Sequence, residues 1–425
     1  MNKMVQSTRK NTMKNDQLQT LKGFRDFLPE EKRKRDVVAG KIKTVFERFG
    51  FAPLETPTLE YASLLLGKYG DEADKLVYSF QDRGEREVAL RYDQTVPTAR
   101  VLAQYQNELP KYFRRYQMQN VFRADKPQKG RFREFAQCDA DIFSNSSIAD
   151  AEILAVYYFI YQEIGLTSIK IEVNDRQTLI QTLSEFANDS CDVFSIIQSI
   201  DKLDKMSPED VAKELMNKGI SEENADNTIT AIETAEMSDN LRQIIDQAVS
   251  LGVKKEALVF NPKIARGLDY YTGLIFEGRI PEYTVGSVGG GGRYDKLIEQ
   301  LSGVSIPAVG FGLGFDRTVE AADQLDLIKI ENTGTQVLVT VFNDQTLPNS
   351  LVIAKQLRQA DIRTEVYPDM NETIGKQLQN AEKKGIQYAV IAGEEEIQKN
   401  LITVKNIQTR DQKQVSVAEF IQSVS

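Results

Sequence analysis

The sequence predicts an α+β protein: a mainly antiparallel sheet flanked by helices, interrupted by a helical insertion and followed by a small α/β unit. Three observations carry that expectation. Residues 111–125 and 133–143 read as strands rich in Tyr, Phe and Val, and they flank a basic loop, KPQKGR, in the pattern of a long antiparallel hairpin. From about 176 to 253 only helical spacing occurs, in segments separated by Asp, Gly, Pro and Ser. Beyond a compositional break at 329–336, KIENTGTQ, the order becomes strand, helix, strand, helix, strand over 337–392, which builds a small, mostly parallel sheet.

The elements follow in order. KGFRDFLP, 22–29, closes a polar N-terminal stretch, and 30–49 then places Val37, Ile42, Val45 and Phe46 on one side of a helix. Pro53 and Pro57 hold LETPTLE in an extended edge segment. A strand over 88–93 runs into a helix over 94–106. Past the hairpin come a helix over 148–164 and an alternating strand over 169–173. Strands return at 258–260 and 270–278, followed by SVGGGGRYD at 287–295 and a helix over 296–301. A glycine-rich strand, 308–314, leads into a helix from Phe315. A strand over 401–405 and a helix over 415–424 close the C-terminal unit.

Composition bounds the chemistry. A chain of 425 residues, 41% apolar and 27% charged, is expected to form two or three globular domains. No run approaches the ~20 apolar residues of a membrane helix, so no membrane partner is expected. Residues 1–18 lack an apolar core segment and read as a flexible extension, not a secretory signal. Two cysteines, Cys138 and Cys191, fit a reducing, cytoplasmic setting. The net charge of −9 argues against a polyanion partner for the chain as a whole, although local patches decide such binding. Histidine is absent. That excludes Ser-His-Asp and Cys-His nucleophiles and ordinary zinc sites, leaving carboxylates, Arg, Lys, Tyr and Mg²⁺ to do any chemistry.

Four constellations stand out. IARGLDYYTGLIFE, 264–277, sets Arg266 beside Gly267 with Tyr270 and Tyr271 close behind, a composition suited to a small anion next to a polar ring. FRADKPQKGRFREF, 122–135, carries Arg123, Lys126, Lys129, Arg131 and Arg133 on a hairpin, which suits a nucleotide or an RNA end. AVGFGLGFDR, 308–317, alternates Gly310, Gly312 and Gly314, so one strand face is bare backbone on which a flat ring could lie, with Arg317 one turn beyond. Gln137, Asp139 and Asp141 alternate on one strand and therefore share a face, with Asp93 as a further carboxylate. Three polar groups on one face are costly in a core unless they bind something, such as an ammonium or a ring N–H. An exposed face is the simpler account for Asp139.

Together these segments resemble the class II aminoacyl-tRNA synthetases, and within them the histidyl-tRNA synthetase family, from about residue 22 to the C terminus. FRADKPQKGRFREFAQCDADIF resembles motif 2, AVGFGLGFDR resembles motif 3, and Pro57 in LETPTLE matches the motif 1 proline. LRYDQT, RGLDYYTG and SVGGGGRYD resemble the histidine-specific segments. The resemblance implies a class II catalytic domain over 19–330 with a helical insertion at about 176–256, and an anticodon-binding domain over 336–425. It implies activation of histidine by ATP and transfer to the 3′ end of tRNA(His), by a cytoplasmic homodimer using Mg²⁺.

Position by position, the resemblance puts Arg123 on the ATP α-phosphate and Arg317 on the γ-phosphate, with Phe135 and Arg317 around adenine over Gly312 and Gly314. Arg266 would bind the α-phosphate and the substrate carboxylate. Asp93, Thr95 and Gln137 would hold the amino group, and Asp141, Tyr270 and Tyr271 would surround the imidazole. Gln128, Lys129 and Arg131 would meet the tRNA acceptor end. The chain departs from the family pattern at Asp125, where Glu is usual, and at Ala124 and Ala136, where many members carry histidine. The rival is a regulatory paralogue that keeps the catalytic fold and makes no histidyl-tRNA; such proteins typically lack the C-terminal domain and the Arg266 motif, and this chain has both.

Overall fold

The computed structural model describes residues 18–66, 76–126, 132–204, 206–265, 270–330 and 334–424. They form two compact units, one of residues 18–27 and 34–328, the other of 28–33 and 329–424. The expected N-terminal extension lies almost entirely outside the described residues.

The strands of the first unit are β1 (Ala52–Pro53), β2 (Leu59–Tyr61), β3 (Ser79–Gln81), β4 (Glu87–Leu90), β5 (Arg114–Phe122), β6 (Glu134–Ile142), β7 (Lys170–Asp175), β8 (Leu258–Phe260), β9 (Leu274–Arg279), β10 (Gly289–Arg293) and β11 (Val309–Leu313). Eight of them form one sheet in the order β1-β5-β6-β11-β10-β9-β7-β8. Only its outer pairs, β1 with β5 and β7 with β8, are parallel. The pairs between them are antiparallel, as the long hairpin predicts. A separate small sheet pairs β2, β4 and β3.

The two faces of the large sheet differ in kind. Tyr116, Ala140, Phe311, Gly291 and Phe276 lie in one row across β5, β6, β11, β10 and β9 on the core face. The helix Pro29–Arg48 lays Phe46 on Tyr116 with ring centroids 4.9 Å apart. The helix Ser147–Ile164 sets Tyr157 edge-on to Phe311 and Phe276 at 5.0 and 5.3 Å. That helix starts on a Ser146 cap and ends at Gly165 in the left-handed region, φ +106°. With the core face covered by two helices, the opposite face carries the polar rows described below.

The insertion is helical, as its spacing predicts. Its helices begin at Arg176, Val193, Pro208, Glu222 and Asp239, and the residue before each (Asp175, Asp192, Ser207, Ser221, Ser238) accepts a backbone N–H from the first turn. The Asp and Ser that broke the pattern in sequence are therefore the caps. Ile196, Ile197, Leu215 and Ile232 fill its core.

The second unit has β12 (Val337–Val339), β13 (Thr364–Val366), β14 (Tyr388–Ile391), β15 (Ile402–Asn406) and β16 (Gln412–Val415) in the order β13-β12-β14-β15-β16. β13, β12 and β14 are parallel, while β14-β15-β16 form an antiparallel meander. The sheet is thus mixed, not mostly parallel. β16 escaped the sequence reading because QKQV is polar and exposed, an edge strand without an apolar face.

Candidate active site

Three rows of side chains cross the opposite face of the large sheet. Register aligns Arg115, Asp141, Gly310, Gly292 and Ile275 in the first, and Gln117, Asp139, Gly312, Gly290 and Glu277 in the second. Gln119 and Gln137 begin the third. Polar side chains from β5 and β6 therefore border a floor of bare backbone from β11 and β10. The glycines are sterically required where side chains fold over them: a Cβ on Gly310 would collide with the Asp141 carboxylate, and one on Gly292 would stand 2.9 Å from the Tyr271 ring.

Two adjoining cavities lie over this floor. The inner one, about 350 Å³, is lined by Asp93, Thr95, Gln137, Asp139, Asp141, Tyr270, Tyr271 and Tyr294. The outer one, about 700 Å³, is lined by Phe132, Phe135, Glu277, Ser287, Gly314 and Arg317. Arg123, Gln137, Tyr270, Tyr271, Gly290 and Gly312 line both. The structure thus brings the predicted Asp93, Thr95, Gln137, Asp141, Tyr270 and Tyr271 together in one chamber, and Arg123, Phe135, Gly312, Gly314 and Arg317 in its neighbour. Arg266, Gln128, Lys129 and Arg131 lie outside the described residues.

Backbone hydrogen bonds hold these groups in place. Arg91 donates from Nη1 to the Thr56 carbonyl at 2.7 Å and from Nε to that of Asn120 at 2.8 Å. Gln94 donates to the carbonyls of Gln119 and Gln137 at 3.0 and 3.1 Å. Together they pin the LRYDQT segment onto β5 and β6 and so fix Asp93 and Thr95 over the inner cavity. Asp93 accepts the Val96 N–H at 3.2 Å. Arg123 donates from Nε to the Tyr92 carbonyl at 3.0 Å and from Nη2 to Gln137 Oε1 at 3.5 Å, and its guanidinium lies 5.1 Å from the Phe135 ring centroid. Arg317 donates to the Ser287 carbonyl at 2.8 Å.

At the bottom of the inner cavity Arg115, 1% exposed, sets Nη2 2.5 Å from Asp141 Oδ2, and Tyr294 donates its hydroxyl to Asp141 Oδ1. Tyr294 is aimed there by its neighbour Arg293, which clamps Asp150 through Nε and Nη2 at 2.9 Å and donates to the carbonyls of Ser144 and Ser146. The chamber is acidic. Burial pushes Asp93 up to about 6, against the opposing Val96 N–H and Arg123, and lifts Asp139 to about 7. Burial also raises Asp141, although Arg115 opposes it, and holds the phenols of Tyr271 and Tyr294 well above the usual range.

The sequence reading missed Arg115, Tyr294 and Glu277. Arg115, Gln117 and Gln119 alternate on β5 as Gln137, Asp139 and Asp141 do on β6, so the same period-2 signal was available on the partner strand. Glu277 could be placed only through cross-strand register, because four glycines give β10 no alternation to read.

A mainly antiparallel sheet whose polar face joins an acidic amino-acid-sized chamber to a larger Arg-lined one has the architecture of a class II aminoacyl-tRNA synthetase. A family model described as histidyl-tRNA synthetase matches residues 23–318, and one described as an anticodon binding domain matches 336–425. The chain is 38% identical to the histidine–tRNA ligase of Christiangramia forsetii over 92% of this chain and 95% of that one. It is 37% identical to that of Wolinella succinogenes over 93% and 95%. The crystal structure of histidyl-tRNA synthetase from Nostoc sp. PCC 7120 superposes with a TM-score of 0.81 at 30% identity, covering 95% of this chain and 99% of that one. The chain belongs to the histidyl-tRNA synthetase family.

Proposed function

We infer that this chain activates histidine with ATP and transfers it to the 3′ end of tRNA(His), with histidine in the inner cavity and MgATP in the outer one. The observation that supports this reading is the junction of the two cavities at Arg123 and Gln137: two substrates placed in them meet there. The substrate carboxylate is ionised at neutral pH and needs no base. Its oxygen bonds to the α-phosphorus as the bond to the bridging oxygen breaks, giving the adenylate and pyrophosphate. Arg123 faces the charge that develops, and Arg266 is proposed to face it from the substrate side. The terminal ribose hydroxyl of tRNA then attacks the acyl carbon and AMP leaves. A side chain of this histidine-free protein can take that proton only if it is not imidazole; the departing phosphate is the acceptor we propose.

The remaining assignments follow the same frame. Asp93, Thr95 and Gln137 hold the ammonium, Asp141, Tyr270 and Tyr271 surround the ring, and Phe135, Gly312, Gly314 and Arg317 take the nucleotide. Mg²⁺ bound to triphosphate needs one or two carboxylates, and Glu277, buried and lining the outer cavity, fits that role; the ion would neutralise phosphate charge. Gln128, Lys129 and Arg131 meet the acceptor end, and the unit matched as anticodon-binding takes the other end of the tRNA. A homodimer is supported by apolar side chains left exposed beside the motif 1 segment: Leu59 at 44%, Tyr61 at 59% and Phe80 at 47%, all on the small sheet. No described helix is long and apolar enough to cross a membrane, and a cytoplasmic location accords with that and with two free thiols.

The test is ATP–pyrophosphate exchange with each amino acid in turn. Exchange with histidine alone, lost in Arg266→Ala, is expected; no exchange with any amino acid by the folded protein would return the reading to a regulatory paralogue. A pH dependence is also expected. Asp93 binds an ammonium only when ionised, so the KM for histidine should rise roughly tenfold per unit below pH ~6. Asp93→Asn should reduce that dependence, while the ionisation of free histidine affects both proteins alike. For folding the sign is reversed. A carboxyl held above its unfolded value binds protons more tightly when folded, so its contribution to stability falls as pH rises from ~4 through 6.

A further inference from the structure

Asp139 is the middle of the three polar residues on β6 and is 4% exposed, not on an open face. Its Oδ2 accepts from Gln137 Nε2 at 2.7 Å. Its Oδ1 is buried and has no hydrogen-bond partner among the described residues. A Cβ on Gly312 would stand 3.2 Å from that oxygen, and both Gly312 and Asp139 line the inner cavity. Gln117, directly opposite on β5, spends its amide N–H groups on Thr56 and Gln119 at 2.8 and 2.6 Å. Asp141 differs, because Arg115 holds one of its oxygens and Tyr294 the other.

The charges around the chamber sharpen the contrast. Asp93, Asp139 and Asp141 lie near Arg115 and Arg123, and the phenols of Tyr270, Tyr271 and Tyr294 line the same cavity. Arg115 is paired with Asp141, and Arg123 lies beyond Gln137 toward the outer cavity. Among the described residues Asp139 has no counter-ion at contact distance. A buried carboxylate in that position selects a cation over a neutral ring N–H.

Resting on the histidine-activating reading, we propose that Asp139 Oδ1 receives the α-ammonium of the substrate, while Oδ2 fixes the Gln137 amide so that Gln137 Oε1 faces the same ammonium. An ionised carboxylate can only accept, so Gln137 must turn its NH₂ toward Asp139 and present its oxygen elsewhere. Burial, with Asp141 and Asp93 nearby, raises Asp139 above the usual carboxylate range, although Arg115 and the Gln137 amide oppose it.

The test uses the full chain and three ligands: histidine; histidinol, which keeps the ammonium and ring; and imidazolepropionate, which keeps the ring and carboxylate but has no ammonium. In ATP–pyrophosphate exchange, Asp139→Asn is expected to raise the KM for histidine and the inhibition constant of histidinol roughly ten- to a hundredfold. The constant for imidazolepropionate and the KM for ATP should stay within about twofold, and Asp139→Glu should recover part of the loss. An equal loss for all three ligands, or none, overturns the proposal. If the Asn protein does not fold, Asp139→Ser carries the same contrast. Absence of histidine-dependent exchange in the unaltered protein would instead remove the histidine reading itself.

Discussion

Arg115→Met is expected to destabilise the first unit by about 3–5 kcal/mol, the cost of leaving one member of a buried ion pair alone. The guanidinium is at 1% exposure, 2.5 Å from Asp141 and 3.3 Å from Gln117 Oε1. Without it Asp141 keeps only the Tyr294 hydroxyl, with Asp139 one row away and no spare cation among the described residues. The carboxyl would then escape by taking up a proton, which is easier at low pH. The loss in urea unfolding should therefore be larger at pH 8 than at pH 5. Arg115→Met combined with Asp141→Leu is expected to recover most of it, because the charge that needed a partner is gone. A loss below about 1 kcal/mol at pH 8, or one indifferent to pH, would falsify the view that this pair holds the cavity floor.

Asp141 also shows how far the sequence could be read. Alternation on β6 placed Gln137, Asp139 and Asp141 on one face because a strand has period 2, and the antiparallel hairpin was legible from its two apolar runs and basic turn. Alternation does not say which face is covered. The burial of Asp139 depends on Gln117, Gly312 and the LRYDQT segment folding around it, from three distant parts of the chain. The strand Gly289–Arg293 was illegible for a different reason: GGGGR has no side chains to alternate and low strand propensity. It becomes a strand because β9 and β11 pair with it on both sides, and its glycines leave space for Tyr271 above. Two tyrosines make the sequence look like strand from 270, but β9 starts at Leu274, and the tyrosines precede it and line the inner cavity.

The caps of the insertion show the opposite case. Asp192, Ser207, Ser221 and Ser238 were visible only as breaks in a pattern, yet each break is the residue that satisfies a first-turn N–H. Local chemistry of that kind is carried by short stretches of sequence and survives without tertiary context. The inner cavity is the reverse, being assembled almost wholly from long-range pairs.

Arg123→Ala is expected to lower the rate of histidine-dependent exchange by about 10²–10³, equivalent to about 2.7–4 kcal/mol of transition-state stabilisation. Its guanidinium stands where the cavities join, held by the Tyr92 carbonyl at 3.0 Å and lying over Phe135, so its position is set before substrate arrives. Arg123→Lys keeps a charge but loses the planar fork that spans Tyr92 and Gln137, and should restore only part of the rate. Stability should change little in either variant, because the side chain lines a cavity and is only partly buried. The informative quantity is how the loss divides. A fall in kcat with a smaller change in the KM for ATP means that Arg123 acts on charge formed in the transition state. A rise in the KM for ATP at unchanged kcat would make it a uniform nucleotide-binding group and leave charge stabilisation to Arg266 and the metal-bound triphosphate. The KM for histidine should also rise modestly in Arg123→Ala, because Gln137 Oε1 loses one of the donors that hold it between the two substrates.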